Sequence, residues 1–479
     1  MADYVKTYYL NTRLESLSDR SYRETWSQDS RSVELEWAPI QPAKGTQGAS
    51  PSPKTVVRLS IESESVSIAF RGADVASESE RLAREKVADD LEMLVTTFTT
   101  RAKTTSLYFV LSTGEQHNVT DAPAPSRSLG RETLRRLISG NMMNLYLVVM
   151  AASFVLFFVI GNYAIFAVLA IQMAVLFYSD RLALLAGKVH PTAERPMVTV
   201  VCVPVTSEVK QEITRYAADL TSEINDRLVT RMSGDSLEGP SGGKAVQEVL
   251  AGVGIKSPLE GIKFVTRDVY SLVKGVADHF RLPVPRITIM NTVADNAAAT
   301  GVSPSRSSML ITAGSLEDLG DAELSSVIGH ELGHIRGRDS LVLFCVTFLL
   351  YLGGFYVWYP LILDLGNFWI FYYVIIFAII FAVGKVLETR ADTESAAKLG
   401  DPNVLASALT KIGFRQLYYE KYLRGMRILD WLRFDPHPPI YFRVQRMAKL
   451  AASGNKIGNT LLMSIEDCLS GFFRSLAGR

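Results

Sequence analysis

The chain is short of the two side chains that most often hold transition metals: 479 residues contain three cysteines and six histidines. Cys202, Cys345 and Cys468 are far apart and follow no ligand or bridge spacing, which excludes a cysteine-framed metal module and a disulfide scaffold. They read as three reduced, partly buried thiols, as suits a cytoplasmic face. An excess of charge is missing too. Lys and Arg number 50 against 49 Asp and Glu, a formal +1, so bulk electrostatics gives no reason to expect a nucleic-acid partner. An apolar leader is also lacking: Asp3, Lys6 and Arg13 interrupt Met1 to Leu14, and no signal peptide is expected. The sequon Asn118-Val119-Thr120 is then without meaning for a cytoplasmic segment. Hydrophobic residues, at 48%, are more abundant than a purely soluble chain needs.

Three of the chemically capable residues stand together. Val327 to Asp339 reads Val-Ile-Gly-His-Glu-Leu-Gly-His-Ile-Arg-Gly-Arg-Asp, with His330, Glu331 and His334 in an H-E-x-x-H pattern. On a helix of 3.6 residues per turn the two imidazoles lie one above the other and can grip one Zn²⁺. Glu331, the next residue round from His330, can take the proton of an attacking water as general base. The chemistry implied is peptide-bond hydrolysis. Asp321, after Gly320, is expected to cap this helix, and Glu323 to favour its dipole. Leu324, Val327, Ile328, Leu332 and Ile335 give it an apolar stripe, so a packed helix is expected.

From the N-terminus, residues 1–140 are expected to form a soluble α+β domain whose role the sequence does not show. Val33, Leu35 and Trp37, then Val57, Leu59 and Ile61, then Val66, Ile68 and Phe70 alternate with polar neighbours as strands do. Gln41 to Lys54 is a linker, Ser77 to about Arg101 a helix, and Leu107 to Leu111 one more strand. Met142 to Tyr178 is almost wholly apolar. Its 37 residues would span roughly 55 Å as one helix against a hydrocarbon core of about 30 Å, so Gly161-Asn162 is taken to divide it into a hairpin, Met142 to Ile160 and Tyr163 to Tyr178.

Beyond residue 190 the chain is globular again. Met197 to Val205 is a strand candidate, Ser207 to about Met232 a helix, and Ser233 to Gly243 a flexible stretch. Gly239 to Lys244 has the outline of a phosphate loop, but its glycine spacing is one residue short, so it is read as a linker and ATP is not implied. A helix over Val269 to Phe280 and a strand over Pro285 to Asn291 come next; His279, on that helix, is a packed or exposed side chain. Leu341 to Pro360 and Phe368 to Gly384 then form a second apolar hairpin, with Asp364 and Asn367 in its turn.

Basic residues set the orientation. Arg131, Arg135 and Arg136, then Arg181 and Lys188, flank the first hairpin; Arg336 and Arg338, then Lys385 and Arg390, flank the second, while both turns lack Lys and Arg. A multi-pass protein of the cell membrane is expected, with four crossings and with N-terminus, active site and C-terminus in the cytoplasm. The domain plan is then 1–140 N-terminal, 141–190 first hairpin, 191–340 cytoplasmic catalytic part with the H-E-x-x-H helix, 341–384 second hairpin, and 385–479 the remainder with the third ligand and C-terminal helices.

That third ligand is expected from Leu387-Glu388-Thr389-Arg390-Ala391-Asp392. Glu388 and Asp392 are four apart on a helix, so Glu388 can bind zinc while Asp392 holds a ligand histidine by its other ring nitrogen.

With these motifs in order, the chain resembles the membrane-embedded HtpX-type and CAAX-prenyl-protease zinc metallopeptidases over roughly Met142 to Met447. The resemblance rests on Asn296-Ala297-Ala298-Ala299-Thr300-Gly301, on His330-Glu331-Leu332-Gly333-His334 with Asp339, on Glu388-Thr389-Arg390-Ala391-Asp392, and on His437-Pro438-Pro439-Ile440 with Arg443. Ala298 and Thr389 stand where the family commonly has phenylalanine. The two-hairpin layout looks more like HtpX than like the prenyl proteases. The resemblance implies a mainly helical α+β zincin with zinc on His330, His334 and Glu388 and Glu331 as base. It implies polypeptide substrates lying along Asn296, Ala297, Ala298 and Ala299 as an added strand. His437 or Arg443 would stabilise the oxyanion or close the cleft, or simply form a turn. Misfolded or damaged membrane proteins are the substrates it implies, cleaved without ATP. A processing peptidase with few substrates, or a non-catalytic zinc-containing receptor or adaptor, are the alternatives.

Overall fold

The computed structural model describes residues 20–25, 32–39, 55–61, 66–71, 106–112, 155–156, 159–187, 189–205, 224, 227–228, 240–255, 261–353, 369–422, 427–454 and 457–477. The chain forms two compact units, Met1–Thr104 and Thr105–Arg479. In the first, β1 (Arg20–Thr25), β2 (Ser32–Pro39), β3 (Thr55–Ile61) and β4 (Val66–Arg71) make one antiparallel sheet in sequence order. Its register pairs the alternating apolar residues, Val33 with Leu59 and Leu35 with Val57, so they share a face.

The second unit opens with β5 (Ser106–Ser112), which pairs with β6 (Met197–Pro204) and not with the N-terminal strands. The expected boundary at residue 140 therefore moves to Thr105, because a strand's period says nothing about its partner. β6 is central between β5 and β7 (Lys263–Asp268). Its continuous apolar run has two covers: Val198, Val200 and Cys202 enter the core shared with the catalytic helix, whereas Val201 and Val203 enter a second core with Ile224, Leu228, Val246 and Leu250.

Between β5 and β6 the chain makes a 3₁₀ turn at Gly161–Tyr163 and then α1 (Ala164–Leu184). Gly161 has φ +59°, the left-handed region that glycine enters without strain. Among the described residues α1 is the one helix long and apolar enough to cross a membrane, and it runs six residues beyond the expected end at Tyr178. Helix α2 (Pro240–Gly252) corrects the linker reading of Gly239 to Lys244. Proline at a first helical position gives up a hydrogen bond the helix does not need, and Gly242 and Gly243 are buried, so composition misled there. The readings of Gln41 to Lys54, Ser77 to Arg101, Met142 to Phe154 and the turn at Asp364 and Asn367 lie outside the described residues. So does most of Ser207 to Met232, where Ile224, Arg227 and Leu228 are helical.

Next come α3 (Val269–Phe280), β8 (Arg286–Met290), β9 (Ala297–Ser303) and β10 (Arg306–Thr312). β10 is central, parallel to β8 and antiparallel to β9, so β9 is an edge strand. A short α4 (Ala313–Asp318) leads into the H-E-x-x-H helix α5 (Asp321–Gly337). Leu324, Val327, Ile328, Leu332 and Ile335 of α5 are buried in the main core, as their spacing requires. Gly320, and not Asp321, is the N-cap. The Gly320 N–H donates to Glu323 Oε2 at 2.9 Å, while Ser407 and Lys411 reach the same carboxylate at 2.7 Å each.

Burial pushes the Glu323 carboxyl up, but these donors outweigh it and hold it below the ordinary range. A depressed carboxyl stabilises the fold fully above its unfolded value, about 4.3, and that contribution fades as pH falls through the lower folded value. Glu323→Ala is therefore expected to cost about 1 kcal/mol at neutral pH and almost nothing in strong acid. Chemical denaturation at both pH values measures it; an equal cost at both would remove the carboxylate from the account.

Arg338, at φ 53°, breaks α5 from the apolar α6 (Asp339–Gly353). Then follow α7 (Trp369–Leu399), α8 (Pro402–Tyr422), α9 (Arg427–Leu432), α10 (Ile440–Ala452) and α11 (Thr460–Leu476). Among its described residues the unit is thus mostly helical with two small sheets. Cys202 and Cys468 are buried, but Cys345 is exposed on α6, which corrects its reading as partly buried.

Candidate metal and catalytic site

Helices α5 and α7 approach closely because α5 turns three glycines towards α7. Gly329, Gly333 and Gly337 recur every four residues and share a face. A Cβ on Gly333 would stand 3.1 Å from Ala391 Cα, one on Gly329 2.8 Å from Ser395 Oγ, and one on Gly337 2.0 Å from Arg390 Nη2. Ser395 Oγ uses the proximity to donate to Ser326 O at 2.7 Å.

That contact brings Glu388 of α7 against the two imidazoles of α5. His330 Nε2 and His334 Nε2 are 3.1 Å apart, and Glu388 lies 3.3 Å from the first through Oε2 and 3.4 Å from the second through Oε1. Ligand atoms of these three residues all fall within 4.8 Å of one another. Two nitrogens each about 2.05 Å from one tetrahedral zinc would be roughly 3.3 Å apart, so the spacing fits a shared ion. Glu388 Oε2 is buried with no hydrogen bond, an arrangement that costs free energy unless a cation meets it. Two histidines and one glutamate are also a donor set that zinc accepts while keeping a position open. The residues present fit the metal.

Both imidazoles are held from behind. His334 Nδ1 donates to Asp339 Oδ2 at 2.7 Å, which leaves the Nε2 lone pair aimed into the site. His330 Nδ1 lies 2.8 Å from Asp392 Oδ1, off the line of an ideal N–H bond. Burial pushes both imidazoles down, but Asp392 and Glu388 raise His330 and Glu388 and Asp339 raise His334, the latter well above its ordinary value. Burial would push the Glu388 carboxyl up, yet His437, His334 and His330 hold it well below its ordinary value. The site therefore favours positive charge at its centre.

Glu331 is buried one residue round from His330, and its charge is felt by both His334 and Arg443. Arg443 points its Nε and Nη2 at Asp392, 2.9 and 2.7 Å away, and its Nη1 sits 3.8 Å from Glu388 Oε2. Two of its three nitrogens thus brace the carboxylate behind His330. His437 stands at the edge, its side chain 45% exposed, with Nε2 3.6 Å from Glu388 Oε1 and Nδ1 held by Asp435 at 2.8 Å. Lys385 Nζ fixes that loop by donating to the carbonyls of Arg433 and Asp435.

Asn296 precedes β9 and is anchored by its backbone: its N–H donates to Thr312 Oγ1 and Ser315 Oγ, and its carbonyl accepts from the Thr312 N–H. Ala297 is buried, Ala298 exposed and Ala299 half-buried, the alternation of a strand on a sheet edge. β9 packs beside α5, α1 and α6.

Two residues gained no role from the sequence. Asp339 orients His334, and Arg390 locks Asp339 with Nη2 2.8 Å from each carboxylate oxygen and 3.0 Å from Gly333 O. Asp339 was visible as the end of the motif, but only the left-handed break at Arg338 turns it back towards the ring. Removing such support typically costs 10–100-fold in metal affinity. Asp339→Ala is expected to show that loss in a zinc titration against a competing chelator. Arg390→Ala leaves the buried Asp339 carboxylate with the His334 imidazole as its remaining partner and removes its guanidinium, so that variant should also unfold about 3 kcal/mol more easily; a variant with wild-type stability and affinity would remove Arg390 from the support.

The sequence profile of peptidase family M48 matches residues 264–451, a span that holds every residue of this cluster. A Protease HtpX homolog of Pyrococcus furiosus is 30% identical over 214 residues, 38% of this chain and 73% of the relative. One from Moorella thermoacetica is 33% identical over 216 residues, covering 38% and 72%. The chain belongs to the HtpX-type M48 metallopeptidases. A metalloprotease is thereby a hydrolase of polypeptides, and the His330, His334 and Glu388 cluster is its candidate metal site. The matched span begins at β7, so the N-terminal unit of this metallopeptidase lies outside the M48 profile.

Proposed function

We propose that this HtpX-type metallopeptidase is a zinc-dependent, ATP-independent endopeptidase of the cell membrane that cleaves misfolded or damaged membrane proteins. One observation carries the metal reading: a buried carboxylate oxygen without a hydrogen bond, 3.3 Å from an imidazole nitrogen that itself faces a second one at 3.1 Å. His330, His334 and Glu388 hold the ion. When bound there, zinc supplies Lewis-acid polarisation of the scissile carbonyl and makes water more acidic. Glu331 accepts the proton of the attacking water and passes it to the leaving amine. Asp392, fixed by Arg443, and Asp339, fixed by Arg390, keep the imidazoles oriented. His437 is placed at the site's edge to donate to the developing oxyanion, with Arg443 Nη1 as the nearest other cation. The substrate backbone adds to β9 alongside Asn296, Ala297, Ala298 and Ala299.

The membrane reading is of four crossings, two within residues 141–190 and two within 341–384. The peptidase parts at 191–340 and 385–479 and the N-terminal unit are then all cytoplasmic. It is supported by α1, by the apolar α6, which starts two residues after α5, by the apolar first half of α7, and by the basic residues that flank them.

The test is degradation of an unfolded protein by the detergent-purified chain without nucleotide. Exhaustive chelation should abolish cleavage and stoichiometric zinc should restore it. Cleavage that survives complete metal removal, or that requires ATP, would sink the proposal.

A further inference from the structure

Helix α11 is built inside out. Its inward face is small: Ser464, Cys468, Gly471 and Ser475 are buried, and a Cβ on Gly471 would stand 2.7 Å from both Trp431 Cζ2 and Phe442 Cε2. Its large hydrophobic side chains face outward instead, with Leu462 58%, Leu469 54%, Phe473 60% and Leu476 61% exposed. At about 100° per residue these four fall within a stripe roughly 60° wide, with Glu466, Ser470 and Arg474 to one side. A helix facing water would have the reverse pattern.

The neighbouring α9 also exposes apolar side chains. Leu429, Leu432 and Phe434 are 49%, 56% and 44% exposed, and α9 packs on α11. Phe434 shows where this surface leads: its ring lies 5.7 Å from that of Phe381 and 6.5 Å from that of Phe377. Both partners belong to the apolar first half of α7, read above as the fourth crossing. Just below, Lys385 ties the Arg433 to Asp435 loop to α7. Phe434 thus abuts the Phe377 and Phe381 side of α7, at the level of its apolar half, while Ile375 and Ile379, 56% and 39% exposed, lie on the opposite side of that helix. The exposed Arg433 and Arg474 bring to the patch the charge that anionic headgroups attract, with Glu466 as the acidic side chain beside the stripe.

We infer that α9, Phe434 and the outer face of α11 form a second membrane contact, an in-plane wedge seated in the cytoplasmic leaflet beside α7, with the lipid surface as its occupant. The inference rests on the four-crossing reading. Such a surface clamps the peptidase against the bilayer from the side of α7 opposite to a simple tether and limits how far the active site can tilt away.

The experiment uses the full chain in nanodiscs containing anionic lipid, with Cys345→Ser removing the exposed thiol. A nitroxide is placed at Phe473→Cys, Ser470→Cys or Ile375→Cys, and its accessibility to oxygen and to a water-soluble nickel chelate is compared. The label at 473 is expected about 5–10 Å below the headgroup boundary, that at 470 in water, and that at 375 deep in lipid. A label at 473 as nickel-accessible as at 470, with 375 still deep, overturns the wedge alone. A nickel-accessible 375 overturns the crossing reading and the wedge with it. Shielding at 473 accompanied by spin coupling between labels on two copies replaces lipid by a second copy and also overturns it.

Discussion

Glu331→Gln is expected to leave zinc bound and lower turnover by about 10²–10⁴-fold. The substitution keeps the shape of a buried side chain and removes only its basicity, and Glu331 is not among the three residues whose ligand atoms cluster. Its charge acts on His334 and Arg443, so it stands where a proton can be collected between the metal ligands and the cationic edge of the site. Purified wild type and variant, compared for zinc content and for cleavage of one unfolded substrate, give the answer. Zinc held equally with turnover within a few-fold of wild type would dismiss Glu331 as the base. Zinc held equally with neither protein active would turn attention to the non-catalytic receptor.

Glu388→Ala is expected to empty the site of zinc. Two imidazoles alone offer too few donors for a tight site, and the change also uncovers positive charge, because Glu388 lies within 3.8 Å of His330, His334, His437 and Arg443. Without the carboxylate these four groups repel one another. Zinc stoichiometry should drop from near one to near zero at micromolar free metal, while wild-type affinity falls as pH drops through the raised imidazole values, since protons compete for the same nitrogens. A fully metallated Glu388→Ala protein would assign the third ligand elsewhere.

Much of this site was legible because it is local. The H-E-x-x-H spacing, the apolar stripe of α5 and the four-residue offset of Glu388 from Asp392 all depend on one helical repeat, and the structure places those residues on α5 and α7. The helix at Val269–Phe280 and the strand at Met197–Pro204 were likewise carried by periodicity and by a continuous apolar run. What escaped depends on long-range pairing or on a single backbone angle. β5 was grouped with the N-terminal strands, although its partner is β6, about ninety residues downstream. The glycines before Lys244 looked like a linker, yet they are the buried first turn of α2. Asp339 acquires its function through the positive φ of Arg338, which no spacing rule reports. Arg390 is two residues from Glu388, and its role appears only once α5 lies against α7.

The glycines of α5 set local stability against function. Glycine in a helix interior costs about 1 kcal/mol relative to alanine, so Gly329 and Gly333 together weaken the catalytic helix by about 2 kcal/mol, with Gly337 closing its last turn. An engineer seeking thermostability, or a consensus built on helix propensity, would replace all three. Each methyl would then push on Ser395, Ala391 or Arg390, and α7 would move away carrying Glu388 with it. The most attractive stabilising substitutions in this chain are therefore those that disarm it.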